Sequence, residues 1–199
     1  MRNKIKFPIA EIFYSIQVEG FNAGMPAIFV RFAGCNLSCV WCDTDYSLKE
    51  TLNIDELIER IYKTGKDCRN VIFTGGEPTE QKNLSILCKE LSDWFKCIET
   101  NGTNKINAAI DWITVSPKVG VIMKNQNENS ELVLLKGNEI KIVLTDETQP
   151  YLDKYLGLDF KYHYLQPESM KNTSEVIKYV KQHPKWRMSY QWNKIVNIR

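Results

Sequence analysis

The residues in this sequence best suited to chemistry are three cysteines, Cys35, Cys39 and Cys42, at the spacing C-x3-C-x2-C. Thiolates bind iron–sulfur clusters and zinc. A structural zinc site usually needs four protein ligands, and no fourth cysteine or histidine lies close by in sequence. A 4Fe–4S cluster held by three thiolates leaves one iron open to a small molecule. The spacing therefore favours a reactive cluster over one that only stores electrons.

The same spacing is also compatible with cysteines that hold no cluster. Positions i, i+4 and i+7 share one apolar face of a helix, where free cysteines are common core residues. A zinc site completed from a distant part of the chain is a second alternative. A disulfide framework is less favoured, because three cysteines so close together cannot all pair and no signal peptide precedes them. The neighbouring residues favour a loop over a helix: Gly34, Asn36, Ser38, Asp43 and Thr44.

A second motif, Gly75-Gly76-Glu77-Pro78, follows a short apolar run at residues 70–74. Glycines allow a ligand to approach the backbone closely. Exposed carbonyls there can accept hydrogen bonds from an ammonium group, and Glu77 adds negative charge. Taken alone, the motif is equally typical of a plain turn.

Together the two motifs resemble those of the radical S-adenosylmethionine enzymes. In that family the three cysteines hold a 4Fe–4S cluster, and the Gly-Gly-Glu-Pro segment binds the methionine part of S-adenosylmethionine. The resemblance implies transfer of one electron from the cluster to the sulfonium. Methionine and a 5′-deoxyadenosyl radical would result, and the radical would abstract a hydrogen from the substrate.

The rest of the chain predicts the elements that position these motifs. Apolar runs that indicate strands alternate with helical patterns, which predicts a mostly parallel sheet with right-handed crossovers. The units are fewer than the eight of a closed barrel. We therefore expect an α/β fold, an open partial (β/α) barrel of about six mostly parallel strands, in one domain over residues 1–199. Ligands of such sheets bind at the carboxyl ends of the strands, where the polar motifs fall.

The local patterns assign most of the chain to elements. Strands are predicted at residues 9–18, 27–32, 70–74, 97–100, 112–116, 139–144 and 162–165, and helices at 53–65, 84–94, 148–156 and 173–183. A last strand or extended arm is predicted at 186–191, and a loop at 119–138. Cys88 falls on the apolar face of its helix, so it is predicted to be a core residue.

Composition limits the partners. The formal net charge is +2, from 26 basic and 24 acidic residues, which predicts neither a nucleic acid nor an acidic membrane as partner. No apolar stretch is long enough to cross a bilayer. Because thiolate sites survive in a reducing compartment, we expect a cytoplasmic protein.

Several motifs carry a closer resemblance, to the 7-carboxy-7-deazaguanine synthase family. They span nearly the whole chain and lie at residues 11–20, 30–37, 42–45, 99–102, 115–118 and 184–189. The resemblance implies conversion of 6-carboxy-5,6,7,8-tetrahydropterin to 7-carboxy-7-deazaguanine with loss of ammonia, in queuosine and deazapurine biosynthesis. It also implies a homodimer and an electron donor such as flavodoxin or ferredoxin.

The residue types fit such a substrate. A carboxylate calls for an arginine fork, and Arg31 is an arginine in an otherwise apolar strand. The alternative for Arg31 is a surface charge on an edge strand. Gln17 and Glu19, predicted on one face of a strand, match the donors and acceptors of a pterin edge.

The resemblance assigns further residues to each ligand. The substrate residues are Ile16, Gln17, Val18, Glu19, Arg31, Thr74 and Arg199. The S-adenosylmethionine residues are Gly76, Glu77, Ser116, Pro117, Lys118, Gln166, Pro167, Glu168 and Ser169. Cys35, Cys39 and Cys42 would hold the cluster, and the Thr44 hydroxyl would bind Mg²⁺.

The chain departs from the family pattern at three positions. Val18 stands where the family usually has glycine, and Asn193 stands where it has a histidine that faces the substrate. Asparagine cannot carry the proton that a histidine can. Relatives often end in proline where this chain ends in Arg199.

Two other functions share part of the signal. An activating enzyme of a glycyl-radical protein has the same cysteine and Gly-Gly-Glu-Pro motifs but does not need Arg31 with Gln17 and Glu19. An iron–sulfur electron carrier, or a zinc-stabilised binding module, would be favoured by a fourth cysteine ligand and by the absence of Gly-Gly-Glu-Pro.

Overall fold

The computed structural model describes residues 2–121, 123–124, 130–196 and 198. These residues form one nine-stranded sheet and five α-helices. The strands are β1 Lys6–Ile16, β2 Pro26–Phe32, β3 Glu50–Asn53, β4 Asn70–Gly75, β5 Phe95–Thr100, β6 Trp112–Val115, β7 Lys136–Leu144, β8 Asp159–Pro167 and β9 Arg187–Met188. The helices are α1 Ile54–Gly65, α2 Leu84–Glu90, α3 Leu152–Leu156, α4 Thr173–Gln182 and α5 Trp192–Val196.

The sheet is open and mostly parallel. Its strand order is β3-β1-β2-β4-β5-β6-β7-β8-β9. β1 runs antiparallel to its two neighbours, β2 and β3. The other neighbouring pairs, from β2–β4 along the sheet to β8–β9, are all parallel. The predicted α/β partial barrel is confirmed.

The sheet is wider than expected because it holds seven parallel strands, β2 and β4 to β9, together with β1 and β3, which pair in antiparallel orientation. β1 was predicted as a strand. β3 was not, because its four residues include only one buried side chain, Leu52. β9 occupies two residues of the arm predicted at 186–191.

Side chains on the parallel strands alternate between a hydrophobic core and a polar concave face. On β7, Ile140 and Ile142 are buried in a core cluster with α3 and α4, while Lys141 faces the opposite side and lines a cleft. Cys88 is 1% exposed in a second cluster formed by β1, β2, β4, α1 and α2, so its predicted place in the core is confirmed. The alternation places charged side chains on the concave face while the helices cover the apolar face.

A local sequence signal explains where α1 begins. Asn53 and Glu56 form a capping box at the start of α1: Asn53 Oδ1 accepts from the backbone N–H of Glu56 at 3.1 Å, and Glu56 Oε2 accepts from that of Asn53 at 2.8 Å. The helix predicted at 148–156 begins as a 3₁₀ turn at Gln149–Tyr151 and continues as α3. The short helix α5 was not predicted.

In the predicted loop at 119–138, β7 begins at Lys136, and Met123 forms an isolated bridge with Leu37. Residues 122 and 125–129 of this loop lie outside the described part. Among the helices that the structure describes, none is both long enough and apolar enough to span a membrane.

Candidate active site

A cleft of about 370 Å³ opens at the carboxyl ends of the parallel strands. Its walls bring together segments that are far apart in sequence. The predicted site residues that line it are Ile16, Gln17, Val18, Glu19, Arg31, Cys35, Cys39, Cys42, Thr44, Thr74, Gly76, Ser116, Lys118, Gln166, Pro167, Glu168 and Ser169. The cysteines and the polar substrate residues therefore share one cavity.

Three predicted site residues do not line this cleft. Pro117 lies between Ser116 and Lys118, which do line it. Arg199 lies outside the described residues. Glu77 is fully buried and turned away from the cleft.

The Glu77 carboxyl group is occupied by hydrogen bonds inside the protein instead of facing the cleft. Its Oε1 accepts from the hydroxyls of Thr79 and Thr100, each at 2.6 Å, and its Oε2 accepts from the backbone N–H of Asn101 at 2.8 Å. Burial raises the pKa of this carboxyl, although the hydrogen bonds oppose the shift. Glu77 thus joins the loop after β4 to the end of β5.

The cysteine loop presents three thiols to the cleft. Cys35 and Cys39 are half-buried, Cys42 is exposed, and all three are free thiols. No three His, Cys, Asp or Glu side chains of residues 2–121, 123–124, 130–196 and 198 converge as ligands of one metal ion. A 4Fe–4S cube does not require such convergence, because each thiolate binds a different iron.

Hydrogen bonds hold the loop against the segment that follows β5. Asn36 Nδ2 donates to Thr103 Oγ1 at 2.8 Å, and Asn36 Oδ1 accepts from Asn101 Nδ2 at 2.9 Å. Burial raises the pKa of the Cys35 and Cys39 thiols. Bound iron would stabilise the thiolates that burial disfavours.

The Gly75-Gly76 turn allows two backbone segments to pack against each other. The Glu77 N–H donates to the Gly34 carbonyl at 3.0 Å, and the Gly76 N–H donates to the Phe32 carbonyl at 3.1 Å. A Cβ on Gly76 would lie 1.7 Å from the Gly34 oxygen. The close approach inferred for a ligand is thus made here by the cysteine loop itself.

Gly76→Ala is expected to displace the cysteine loop. Because the added methyl group meets backbone atoms that cannot rotate away, we expect the free energy of unfolding to fall by about 1–3 kcal/mol. Iron content should fall with it. Urea unfolding and iron analysis would measure both effects.

Gly157→Ala is a matched control, since the nearest atom to its added Cβ is 3.4 Å away, an ordinary contact distance. Equal stability and iron content for Gly76→Ala and Gly157→Ala would contradict the packing argument.

Arg31 lies on an interior strand. β2 is placed between β1 and β4, so Arg31 is not a surface charge on an edge strand. The Arg31 Nε is 3.5 Å from Glu11 Oε2, and the guanidinium carbon is 5.9 Å from the centre of the Phe13 ring. The side chain is 21% exposed, so it can meet a ligand in the cleft.

Gln17 and Glu19 follow the end of β1 instead of lying on the strand. Gln17 Oε1 accepts from the backbone N–H of Val18 at 2.8 Å and of Glu19 at 3.2 Å. Gln17 Nε2 donates to Glu99 Oε1 at 3.1 Å. The predicted strand face is therefore replaced by a turn that the Gln17 side chain stabilises.

Glu99 and Lys141 are cleft residues to which the sequence analysis assigned no ligand, although Glu99 belongs to the motif at residues 99–102. Glu99 Oε2 accepts from the Thr74 hydroxyl at 3.0 Å, and Lys141 bonds to Glu19. Burial alone would raise the pKa of Glu99, but Lys141 and the hydrogen bonds from Gln17 and Thr74 outweigh it and lower the pKa. A signal was present, since buried parallel strands are normally continuous apolar runs, and these charges interrupt β5 and β7.

The α5 segment closes one end of the cleft. Asn193, the residue at the family's histidine position, lines the cleft. Its Oδ1 is buried and has no hydrogen-bond partner among the described residues. Lys194 Nζ donates to Asp43 Oδ2 at 2.8 Å and to Ser169 Oγ at 3.2 Å. Lys194 therefore connects α5 to the cysteine loop and to the loop after β8.

Comparison with known proteins shows which family the chain resembles. The Radical SAM superfamily model matches residues 29–119. A 7-carboxy-7-deazaguanine synthase of Bacteroides thetaiotaomicron is 38% identical over 192 residues, covering 96% of this chain and 98% of the relative. One from Burkholderia multivorans is 36% identical over 217 residues, covering 96% and 99%.

A solved structure agrees as well. The crystal structure of QueE from Escherichia coli superposes with a TM-score of 0.80 at 30% identity, covering 96% of both chains. These relatives are not activating enzymes of glycyl-radical proteins, and the family predicted from the motifs is confirmed. The chain belongs to the 7-carboxy-7-deazaguanine synthase family of radical S-adenosylmethionine enzymes.

Proposed function

We propose that this chain converts 6-carboxy-5,6,7,8-tetrahydropterin to 7-carboxy-7-deazaguanine with loss of ammonia, a reaction of queuosine biosynthesis. The observation that carries the proposal is that Arg31, Glu19 and Glu99 share one cleft with the three cysteines. When bound, the 4Fe–4S cluster and S-adenosylmethionine supply a 5′-deoxyadenosyl radical. The residues of the chain bind the two small molecules and orient them.

The substrate half of the cleft matches the carboxypterin. The Arg31 guanidinium pairs with its carboxylate, because a planar fork of donors suits a carboxylate. Glu19 and Glu99 accept hydrogen bonds from the N–H groups of the pterin. Ile16, Val18 and Thr74 complete this wall, and Gln17 holds the turn in place.

The other half of the cleft is suited to S-adenosylmethionine. The backbone at Gly76 and the polar residues Ser116 and Lys118 face it, and Gln166 to Ser169 close the side. Lys118 Nζ donates to Ser116 Oγ at 2.8 Å. This arrangement supports binding of the methionine and ribose parts beside the cysteine loop.

The proposal also covers the compartment, the oligomeric state and the electron donor. The chain works in the cytoplasm as a homodimer and receives its electron from a flavodoxin or ferredoxin. Family membership and the need of thiolates for a reducing compartment support these partners. Sedimentation of the cluster-loaded protein would test the dimer.

Turnover of a defined substrate tests the reaction. The cluster is reconstituted anaerobically, and reductant and S-adenosylmethionine are added with or without the carboxypterin. We expect 5′-deoxyadenosine and 7-carboxy-7-deazaguanine to accumulate only when the carboxypterin is present. No product from a cluster-loaded protein would refute the proposal. If 5′-deoxyadenosine formed only on addition of a glycyl-radical protein, the result would support the alternative function, activation of a glycyl-radical protein.

We also propose that Thr44 helps to bind Mg²⁺. Mg²⁺ prefers oxygen ligands and is often held by few protein groups together with the substrate. Thr44 lines the cleft two residues after Cys42. The competing oxygen ligand Asp43 is paired with Lys194 at 2.8 Å. Mg²⁺ at Thr44 would hold the substrate's oxygen atoms and stabilise charge during ring contraction.

Thr44→Val is expected to abolish the response of turnover to Mg²⁺. Valine has nearly the same shape as threonine but offers no oxygen ligand, so iron content and S-adenosylmethionine binding should persist. Turnover is measured against Mg²⁺ concentration. Thr51→Val, on the edge strand β3, is the matched control. A response of Thr44→Val equal to that of the parent would place the metal at other ligands.

A further inference from the structure

Lys141 is a buried charge on the floor of the cleft. It lies on β7, where the alternation of side chains places Ile140 and Ile142 in the core and Lys141 on the concave face. Its side chain is only 9% exposed. An ammonium group removed from water in this way is costly unless anions surround it.

Three carboxylates surround this ammonium group. Lys141 bonds to Glu19, which follows β1, and its Nζ lies 4.0 Å from Glu99 Oε1 on β5. Glu139 lies two residues earlier on the same strand, and Lys118 contributes a nearby positive charge. The carboxylates keep Lys141 protonated, since their combined attraction outweighs burial and raises its pKa.

The two carboxylates that Lys141 joins come from different segments of the chain. Glu19 Oε1 also accepts from Gln166 Nε2 at 3.2 Å. Glu99 accepts from Gln17 and Thr74, and the Arg31 charge acts on it from β2. A carboxylate has about four lone-pair directions, so these bonds leave acceptor capacity for a ligand.

Without Lys141, Glu19 and Glu99 would be two like charges in a partly buried cleft. Like charges near each other, and burial, both favour the protonated form of a carboxyl group. A protonated carboxyl presents a donor where a pterin N–H needs an acceptor. The cation therefore determines whether this wall of the cleft offers acceptors.

We propose that Lys141 is a positioning residue, which joins Glu19 to Glu99, orients both carboxylates as acceptors for the N–H groups of the pterin and keeps Glu99 as an anion. The proposal rests on the proposed function, because the pterin is its ligand. It assigns Lys141 no contact with the reacting atoms. The role differs from that of Arg31, which pairs with the substrate's carboxylate.

Binding of the carboxypterin between pH 6 and pH 9 tests the proposal in the cluster-loaded enzyme. We expect Lys141→Met to bind at least about tenfold more weakly at pH 7, the equivalent of one pKa unit. The difference in affinity between the parent and Lys141→Met should narrow towards pH 9, where Glu99 of the variant ionises. Lys141→Arg should recover most of the affinity. Lys136→Met is the matched control, because Lys136 is exposed on the same strand.

A structural role alone would give a different result. If Lys141 only supported the fold, Lys141→Met would weaken carboxypterin binding equally at every pH and would lower the iron content. Either a loss that does not vary with pH or parent-like binding by Lys141→Met would overturn the proposal.

A second measurement does not need the pterin. In infrared spectra of the ligand-free, cluster-loaded enzyme, the band of a protonated carboxyl should persist to higher pH in Lys141→Met than in the parent. Adding Glu99→Gln should reduce that band. If the parent fails to bind the carboxypterin but the band shifts, the proposed function fails and the charge role of Lys141 stands. An unshifted band overturns the inference.

Discussion

Cys39→Ala is expected to yield a folded protein that cannot hold its cluster. The parent should carry about four irons per chain after anaerobic reconstitution, because three thiolates hold one 4Fe–4S cube. Removing a thiolate opens a second iron, and the cluster is lost or degraded. Formation of 5′-deoxyadenosine should then fall to background. Iron analysis and the visible absorption of the cluster measure the effect.

Cys88→Ala is the matched control. Cys88 is 1% exposed in the core beside α2, and burial raises the pKa of its thiol to about 12. Alanine there removes a small buried side chain and should lower stability while leaving iron content unchanged. Iron retained in Cys39→Ala, or lost from a folded Cys88→Ala, would contradict the assignment of the ligands.

Arg31→Lys is expected to weaken carboxypterin binding although it preserves the positive charge. Lysine offers a point charge in place of a fork, so a bidentate charge-assisted pair with the substrate's carboxylate is lost. The cost should be about 2–5 kcal/mol, by analogy with buried charge pairs at interfaces. Equilibrium binding to the cluster-loaded enzyme measures it.

Arg60→Lys serves as the control for this change. Arg60 lies on α1 and pairs with Glu50 at 3.2 Å on the protein surface, away from the cleft. Its substitution should leave binding unchanged, because exposed ion pairs contribute little. Iron content should be the same in both variants. Normal affinity of Arg31→Ala for the carboxypterin would exclude Arg31 from the substrate site.

Local sequence patterns predicted those parts of the site that are formed by a few consecutive residues. The cysteine loop and the Gly75-Gly76 turn are each defined by a few consecutive residues, and both lie where the end of a parallel strand was expected. Arg31 was recognisable as an isolated charge in an apolar strand. These predictions needed only the alternation of side chains and the chemistry of residue types.

Contacts between strands were not predictable in the same way. Lys141 reaches both Glu19 and Glu99 only because the sheet places β5 and β7 on either side of β6 and the turn after β1 lies next to Lys141. The Glu77 side chain points into the protein because the end of β5 offers it two donors, the Thr100 hydroxyl and the Asn101 N–H. Such relations depend on register, which the periodicity of one strand does not define.

Short elements were missed for another reason. β3 has four residues and α5 has five, fewer than the repeats needed for a periodic pattern. Both are stabilised by tertiary contacts: β3 pairs with β1, and Lys194 of α5 bonds to Asp43 and Ser169. Propensity alone carries little weight in segments of this length.

The contacts of residues 17–20 suggest when the cleft closes during protein synthesis. From β5 to β9, each strand is the sheet neighbour of the strand made before it. The bond between Gln17 and Glu99 can form only after another 82 residues have been made, and the bond between Glu19 and Lys141 only after another 122. Gly20 donates to Ser189, which follows it by 169 positions. Because a nascent chain folds from its N-terminal part onwards, the cysteines are synthesised well before the cleft closes. We therefore expect proteins that deliver iron to reach the thiols most easily before β8 and β9 are made.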